Sequence, residues 1–393
     1  MAKSFVNSNA RFDTMPVFLT ALSTILGAIL FLRFGWAVGQ IGSWGVIGVI
    51  LIGHIITIPT AFAVAEIATN QQVQGGGAYY IISRSFGFNI VGAIGLALFF
   101  SQAISVAFYI IAFGEAFESV INFLNDNYQL GIEDRRWISI PSMAILSIII
   151  LAKGANMGMK ALYFVVAILL TSLVFFFIGD SLLKPHEVHF HSHIPNNLNF
   201  FFVLTIIFPA FTGLAAGLGL SGDLKDPKKS IPRGTLCPTI VSMLVYIAAA
   251  YKFTISASPE ELVADQLIMQ RIAIWEPTIP VGLAAASLSS ALGSIMVAPR
   301  TLQAIGYDDI FPQKWLNLWF AKGKKADNEP INGSIVTIII AFFFIAIGDI
   351  NFVAQIISMF FMVTYAAICM VSFLEHFAAD PAYRPTFRSK WYK

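Results

Sequence analysis

The chain has 393 residues, of which 57% are hydrophobic and only 12% are charged, and its mean hydropathy is +0.76. This composition excludes a soluble globular protein. The net charge of +2 gives no support for nucleic-acid binding, and the two cysteines, Cys237 and Cys369, show no metal-binding or redox spacing.

Ten apolar stretches of about spanning length predict an all-α integral membrane protein with ten transmembrane helices. They lie at residues 17–39, 44–66, 88–123, 138–152, 158–180, 198–221, 234–256, 279–300, 331–348 and 350–377. Residues 1–16 form a cytoplasmic N-terminal segment, and residues 378–393 form a cytoplasmic end. The loops on that side hold most of the 24 Lys and Arg residues, so the positive-inside rule indicates a cytoplasmic N-terminus and a multi-pass protein of the cell membrane.

The sixth stretch is predicted to be a broken helix. Pro209 has no backbone N–H, and Gly213 and Gly217 have low helix propensity, so the hydrogen-bond ladder opens between them. A break inside a membrane is tolerated only where it lines a cavity or a bound solute. Its free carbonyls suit a cation, and the N-terminus of the second half-helix suits an anion.

A matching break is predicted in the first stretch, at residues 23–29. The ten spans divide into a first repeat of five at residues 17–180 and a second at 198–377. Because each repeat has an odd number of spans, the second enters the membrane from the opposite face, which is a 5+5 inverted repeat. Helices 1 and 6 are then the broken ones, and their breaks mark the binding site.

Motifs along nearly the whole chain resemble the cation-chloride cotransporter family, in its sodium-potassium-chloride symporter branch. They are ILGAILFLR at 25–33, ATN at 68–70, GGGAYYIISRS at 75–85, FPAFTG at 208–213, SGDLKDP at 221–227, SIPRGT at 230–235, LSSAL at 288–292, APR at 298–300, and Tyr365. The resemblance implies the LeuT-type (APC) fold and a secondary active symporter that couples chloride to sodium and potassium.

The resemblance also implies four sets of site residues. The potassium ligands are Thr24, Ile25, Tyr109, Pro209 and Thr212; the sodium ligands are Ser23, Leu26, Ala286, Ser289 and Ser290. Chloride binds Gly27, Ala28 and Ile29 at one site, and Gly213, Leu214, Ala215 and Tyr365 at the other. Arg33 and Glu115 form the extracellular gate. No metal beyond these alkali cations and no cofactor is expected.

Two departures from the family pattern leave alternatives open. The family usually has asparagine in place of Thr24, and residues 357–361 look more like the branch that moves potassium and chloride without sodium. A potassium-chloride symporter is therefore one alternative. An amino-acid transporter of the same fold, and a membrane sensor or non-transporting subunit, are the others. An enzyme is not expected, because no helix pairs a nucleophile with a base.

The remaining expectations concern partners and loops. The partners are inorganic ions and the lipid bilayer, without nucleic acid, and a homodimer is the candidate assembly. The family continues with two further helices and a cytoplasmic domain, so this chain ends early by comparison. Residues 75–77 are predicted to be a glycine hinge, Glu66 to be solvated, and the histidines between His186 and His193 not to form a metal site.

Overall fold

The structure is a computed structural model that describes residues 13–70, 78–83, 88–129, 131, 134–153, 159–180, 182, 190, 198–218, 224–324, 328–378 and 383–389. Over these residues the backbone is predominantly helical and forms no β-strand, apart from one isolated bridge between Lys324 and Glu329. The predicted hinge at 75–77 and the histidines at 186–193 lie outside the described residues. The helices are α1 (Thr14–Ile25), α2 (Ala28–Leu32), α3 (Phe34–Asn70), α4 (Ala78–Ser83), α5 (Phe88–Glu115), α6 (Glu118–Tyr128), α7 (Arg136–Lys153), α8 (Met159–Phe177), α9 (Phe200–Ile207), α10 (Leu214–Leu218), α11 (Pro227–Ser256), α12 (Pro259–Ala264), α13 (Ile268–Ile272), α14 (Thr278–Tyr307), α15 (Lys314–Ala321), α16 (Ile331–Ile347) and α17 (Ile350–Phe377).

The described helices have the lengths and the surface of a membrane protein. Six segments are long and apolar enough to span a bilayer: Thr14–Leu32, Phe34–Asn70, Val91–Glu115, Pro227–Ser256, Thr278–Tyr307 and Ile350–Phe377. Four shorter apolar segments, Arg136–Ala152, Leu162–Phe177, Phe200–Phe211 and Ile331–Ile347, coincide with the other predicted spans. Large side chains such as Ile55 and Phe164 remain 69% and 68% exposed, as expected for a surface facing lipid. The chain is a multi-pass membrane protein, and the number of ten spans stays a prediction.

The first span is interrupted as predicted. Leu26 and Gly27 separate α1 from α2. The chain then continues into α3, which contains both the far end of the first span and the whole second span, divided only by Gly42 at φ 70° and ψ 171°. A side chain is strained in that conformation, so glycine allows the chain to change direction there without a loop.

The sixth span is interrupted at the predicted proline. Residues Phe208–Phe211 form a 3-10 turn after α9, and Pro209 lies at the start of this turn. Without an amide hydrogen, proline cannot continue the α-helical ladder. Thr212 and Gly213 then lead into α10.

Three predicted boundaries were wrong. The span at 88–123 is two helices, because α5 ends at Glu115 and the short α6 buries only Ile121 and lies at the surface. α11 begins at Pro227 and not at 234, since proline is well tolerated in the first turn of a helix. α14 extends to Tyr307 because its last turns bury further apolar side chains, including Leu302 and Ile305.

The interrupted helices lie at the centre of the bundle. α1 packs against α11, α8 and α14, while α5 packs along α14 and α11 along α3. Every residue of α2 is buried, and so are all four residues of the 3-10 turn. Lipid cannot reach the backbone groups at either interruption, so their partners must come from the protein or from a bound solute.

Candidate functional site

The two interruptions touch each other. A Cβ atom added to Gly213 would lie 2.5 Å from Ile25 Cγ1 and 2.7 Å from Ala21 O, and one added to Gly217 would lie 3.2 Å from Val17 O. Only glycine permits so close an approach of α10 to α1. The site residues predicted on the first and sixth spans are therefore brought together.

At the second interruption, two backbone oxygens accept hydrogen bonds from nearby donors. The Thr212 amide and the Thr212 hydroxyl donate to Pro209 O at 3.2 Å and 2.7 Å. The Tyr365 hydroxyl, from α17, donates to Thr212 O at 2.6 Å. Pro209, Thr212 and Tyr365 are all buried. In this state, then, these oxygens receive hydrogen bonds from other site residues.

The first interruption presents the carbonyl of Ile25. This oxygen accepts a hydrogen bond from the Tyr246 hydroxyl of α11 at 2.6 Å. The hydroxyl of the neighbouring Thr24 donates to Thr20 O at 2.8 Å. The carbonyl of Thr24 is therefore the group of this residue that could contact a cation. Tyr246 is absent from the predicted site, although its ring is 0% exposed.

Tyr109 is the predicted potassium ligand on α5. Its side chain is buried, at 7% exposure, and it lies near the buried Tyr246 and Tyr365. Three buried tyrosines, from α5, α11 and α17, therefore stand around the two interruptions.

Two of the predicted sodium ligands, Ser23 and Ser290, meet at Gly27. A Cβ atom added to this glycine would lie 3.0 Å from Ser23 O and 3.8 Å from Ser290 Oγ of α14. Among the described residues, Ser290 Oγ has no hydrogen-bond partner although it is buried. A buried hydroxyl without a partner is costly, so a polar occupant beside it is favoured.

The other sodium candidates are less well placed. Leu26 and Ala286 are 0% exposed, whereas Ser289 is only half-buried. The Ser23 hydroxyl donates to Thr20 O at 3.1 Å, so its carbonyl is the group that faces Gly27.

The predicted chloride ligands are the first amides of α2 and α10. The opening amides of a helix have no intrahelical acceptor, and they carry partial positive charge. The Tyr365 hydroxyl has only one proton, which Thr212 O accepts here. Chloride can bind this hydroxyl only after that bond opens. The six amide residues are Gly27, Ala28 and Ile29 in one set, and Gly213, Leu214 and Ala215 in the other.

Arg33 and Glu115, the predicted gate pair, do meet. Arg33 Nη2 lies 3.5 Å from Glu115 Oε1, and both side chains are buried, at 6% and 4% exposure. Arg33 Nε also donates to Asn351 Oδ1 of α17 at 2.7 Å. Arg33 therefore joins the end of α2 to both α5 and α17, and Asn351 is a member of the cluster that sequence reasoning missed.

Arg135 is a second partner of the same carboxylate. Its Nη1 lies 3.2 Å from Glu115 Oε1, and its Nη2 lies 2.8 Å from Glu118 Oε1. A cavity of about 440 Å³ opens beside Glu115, and Arg135, Arg136 and Ser139 help to line it. The gate pair is thus next to a polar cavity that α7 and α16 complete.

Glu66 is not solvated as expected, since it is 0% exposed. Residues 383–389 cover it: the Ser389 amide donates to Glu66 Oε2 at 3.1 Å, and the Phe387 ring stacks on Phe62 with centroids 6.0 Å apart. Burial and the nearby Glu66 carboxylate raise the pKa of Tyr383. The 383–389 segment therefore joins the end of α17 to the end of α3.

Comparisons with known proteins agree on the family. The amino acid permease family model matches residues 16–392. Human Solute carrier family 12 member 2 is 34% identical over 427 residues, which cover 95% of this chain and 35% of the human protein. Mouse Solute carrier family 12 member 1 is 32% identical, with 94% and 38% covered. The chain therefore spans little more than a third of the length of these curated relatives.

A solved structure supplies the fold. The crystal structure of MhsT in complex with L-phenylalanine superposes with a TM-score of 0.56, covering 94% of this chain and 90% of that chain at 13% identity. This likeness confirms the LeuT-type fold. The chain belongs to the amino acid permease family, and its relatives there are solute carriers of family 12, the cation-chloride cotransporters that the sequence motifs resemble.

Proposed function

We propose that the chain is a secondary active symporter that moves chloride together with sodium and potassium across the cell membrane. The observation that carries this proposal is the contact between the two helix interruptions, with Gly213 against Ile25 at the centre of the bundle. Transport is electroneutral if one sodium, one potassium and two chlorides move together. The transported ions are the only small molecules required, and the protein is not an enzyme.

Potassium binds the carbonyls of Thr24, Ile25 and Pro209 and the hydroxyls of Tyr109 and Thr212. A ring of neutral oxygens replaces the hydration shell of a large monovalent cation without burying a carboxylate. The contact of Gly213 with Ile25 supports this assignment, because it brings the oxygens of both interruptions to one place.

Sodium binds the carbonyls of Ser23, Leu26 and Ala286 and the hydroxyls of Ser289 and Ser290. The support comes from the buried Ser290 hydroxyl, which faces Gly27 without a partner among the described residues. Its close neighbour Ser23 O supplies a second oxygen for a compact cage.

Chloride binds the opening amides of α2 and α10. An anion beside the cations offsets their charge, so that each ion lowers the desolvation cost of the other. This mutual compensation makes the coupling of cations to anions obligatory.

The extracellular gate closes through Arg33 and Glu115, with the N-terminus and the 383–389 segment on the cytoplasmic side. The burial of the Arg33 and Glu115 side chains supports a closed extracellular gate. Residues 17–180 and 198–377 form the two inverted repeats, and a homodimer is the proposed assembly.

Tracer uptake into proteoliposomes tests the function directly. Uptake of radioactive rubidium, a potassium substitute, is expected to require chloride and sodium. Chloride and sodium are omitted in turn, and each uptake is compared with that in the complete buffer. Uptake that persists unchanged without chloride would refute the symporter. Uptake that needs chloride but not sodium would favour the potassium-chloride symporter.

An amino-acid carrier is the second candidate, and the description of the matching family model, amino acid permease, is the observation behind it. In such a carrier the opening amides would hold an α-carboxylate in place of chloride. Uptake of labelled amino acids without chloride-dependent rubidium uptake would identify this function.

A further inference from the structure

Tyr246 is held rigidly between the two interruptions. Its ring is 0% exposed and packs against Phe34 and Phe211, with centroids 4.9 Å and 5.3 Å away. Its hydroxyl donates to Ile25 O at 2.6 Å, although the two residues are 221 positions apart along the chain. The ring packing fixes this hydroxyl in front of one carbonyl.

The Ile25 carbonyl needs this donor only when the site is empty. Ile25 is the last residue of α1, and carbonyls at a helix C-terminus lack an intrahelical partner. A buried carbonyl without any partner carries a desolvation penalty. A bound cation would satisfy the same oxygen, whereas a hydroxyl proton on that oxygen repels the cation.

We propose that Tyr246 competes with potassium for the Ile25 carbonyl and thereby sets the affinity of the site; this rests on the proposed function. In the empty site the hydroxyl occupies the carbonyl. When potassium binds, the hydroxyl leaves this oxygen.

This competition has a kinetic consequence. An ion site in a transporter must bind well enough to load and weakly enough to release. The hydrogen bond that re-forms on release lowers the affinity and favours emptying of the site. Tyr246 is therefore a positioning residue whose removal tightens potassium binding and slows turnover.

The test compares Tyr246→Phe with Tyr251→Phe in the full chain. Tyr246→Phe keeps the ring between Phe34 and Phe211 and removes only the hydroxyl, whereas Tyr251 is 59% exposed on the same helix and serves as the matched control. We expect Tyr246→Phe to lower the half-saturating rubidium concentration about tenfold, because the empty carbonyl loses its donor, and to lower the maximal uptake rate. The Tyr251→Phe variant is expected to leave both values unchanged.

A tyrosine with only a structural role would not lower the half-saturating rubidium concentration when its hydroxyl is removed. A half-saturating concentration that is unchanged or raised in Tyr246→Phe would overturn the inference. Should that variant fail to fold, 3,5-difluorotyrosine placed at position 246 keeps the ring and is a stronger donor, so the half-saturating concentration is expected to rise; a fall or no change there would overturn the inference.

A binding measurement separates this inference from the proposed function. Potassium that binds the native state raises the unfolding temperature of the purified protein as its concentration increases. We expect the potassium concentration giving half of this rise to be lower in Tyr246→Phe. If it equals the wild-type value, the inference fails alone; if the wild type shows no chloride-dependent uptake, the proposed function fails.

Discussion

Arg33 and Arg135 bind the same oxygen of Glu115 but differ in exposure, which gives a matched pair of substitutions. Their nitrogens lie 3.5 Å and 3.2 Å from Glu115 Oε1, with side chains that are 6% and 35% exposed. Arg33→Gln removes the buried partner of Glu115 and leaves this carboxylate with the partly exposed Arg135 alone. Its cost therefore approaches, without reaching, the cost of about 3–5 kcal/mol for a buried charge that has lost all its partners. Arg135→Gln removes a partly solvated partner and should cost below about 1 kcal/mol, because solvent screens that pair.

Thermal unfolding of the purified variants measures this difference. Arg33→Gln is expected to lower the unfolding temperature much more than Arg135→Gln does. Raising the salt concentration from about 0.1 M to about 1 M should weaken the Arg135 contribution and leave that of Arg33 nearly unchanged. The double variant Arg33→Gln/Glu115→Gln should regain part of the loss, because the buried group that lost Arg33 is then neutral.

Equal losses in the two single variants would refute the reasoning. They would mean that Arg33 is solvated in the native protein, or that side-chain exposure does not determine how much each arginine contributes to stability. A double variant less stable than Arg33→Gln would also contradict it.

Three further substitutions test other parts of the protein. Ser290→Ala should raise the half-saturating sodium concentration about tenfold without lowering thermal stability, because its hydroxyl has no partner to lose among the described residues; unchanged sodium dependence would contradict the sodium site. Tyr365→Phe removes a proposed chloride donor and should therefore raise the half-saturating chloride concentration, and loss of its bond to Thr212 O should cost about 1 kcal/mol of stability; a chloride response equal to that of the wild type would count against it. Phe387→Ala removes the ring that stacks on Phe62 and should speed hydrogen exchange at residues 384 and 389, while unchanged exchange would show that the stack does not hold the segment.

The broken helices could be predicted because their signals are local. Pro209 cannot continue a helix wherever it is placed, and the glycines beside it lower helix propensity within the same few residues. The structure has its 3-10 turn at this proline, and it interrupts the first span at Leu26 and Gly27. The membrane class likewise follows from hydropathy alone.

The features that were missed or wrongly predicted depend on contacts between residues distant in sequence. Tyr246 lies inside an apolar stretch, where nothing local distinguishes a tyrosine that reaches another helix from one that faces lipid. Glu66 is covered by Ser389, 323 positions away, so its burial has no signal near residue 66. Asn351 is polar and close to a helix start, and only the folded structure reveals Arg33, 318 positions away, as its partner.

Gly42 has a consequence for how the bundle can deform. It is the only non-helical point inside α3, so no flexible loop separates the far end of the first span from the second span. A tilt of one part must either rotate the other or be absorbed in the two backbone dihedrals of a single residue. Replacing that residue by alanine would strain this corner, so the coupling between the first two spans depends on one missing side chain.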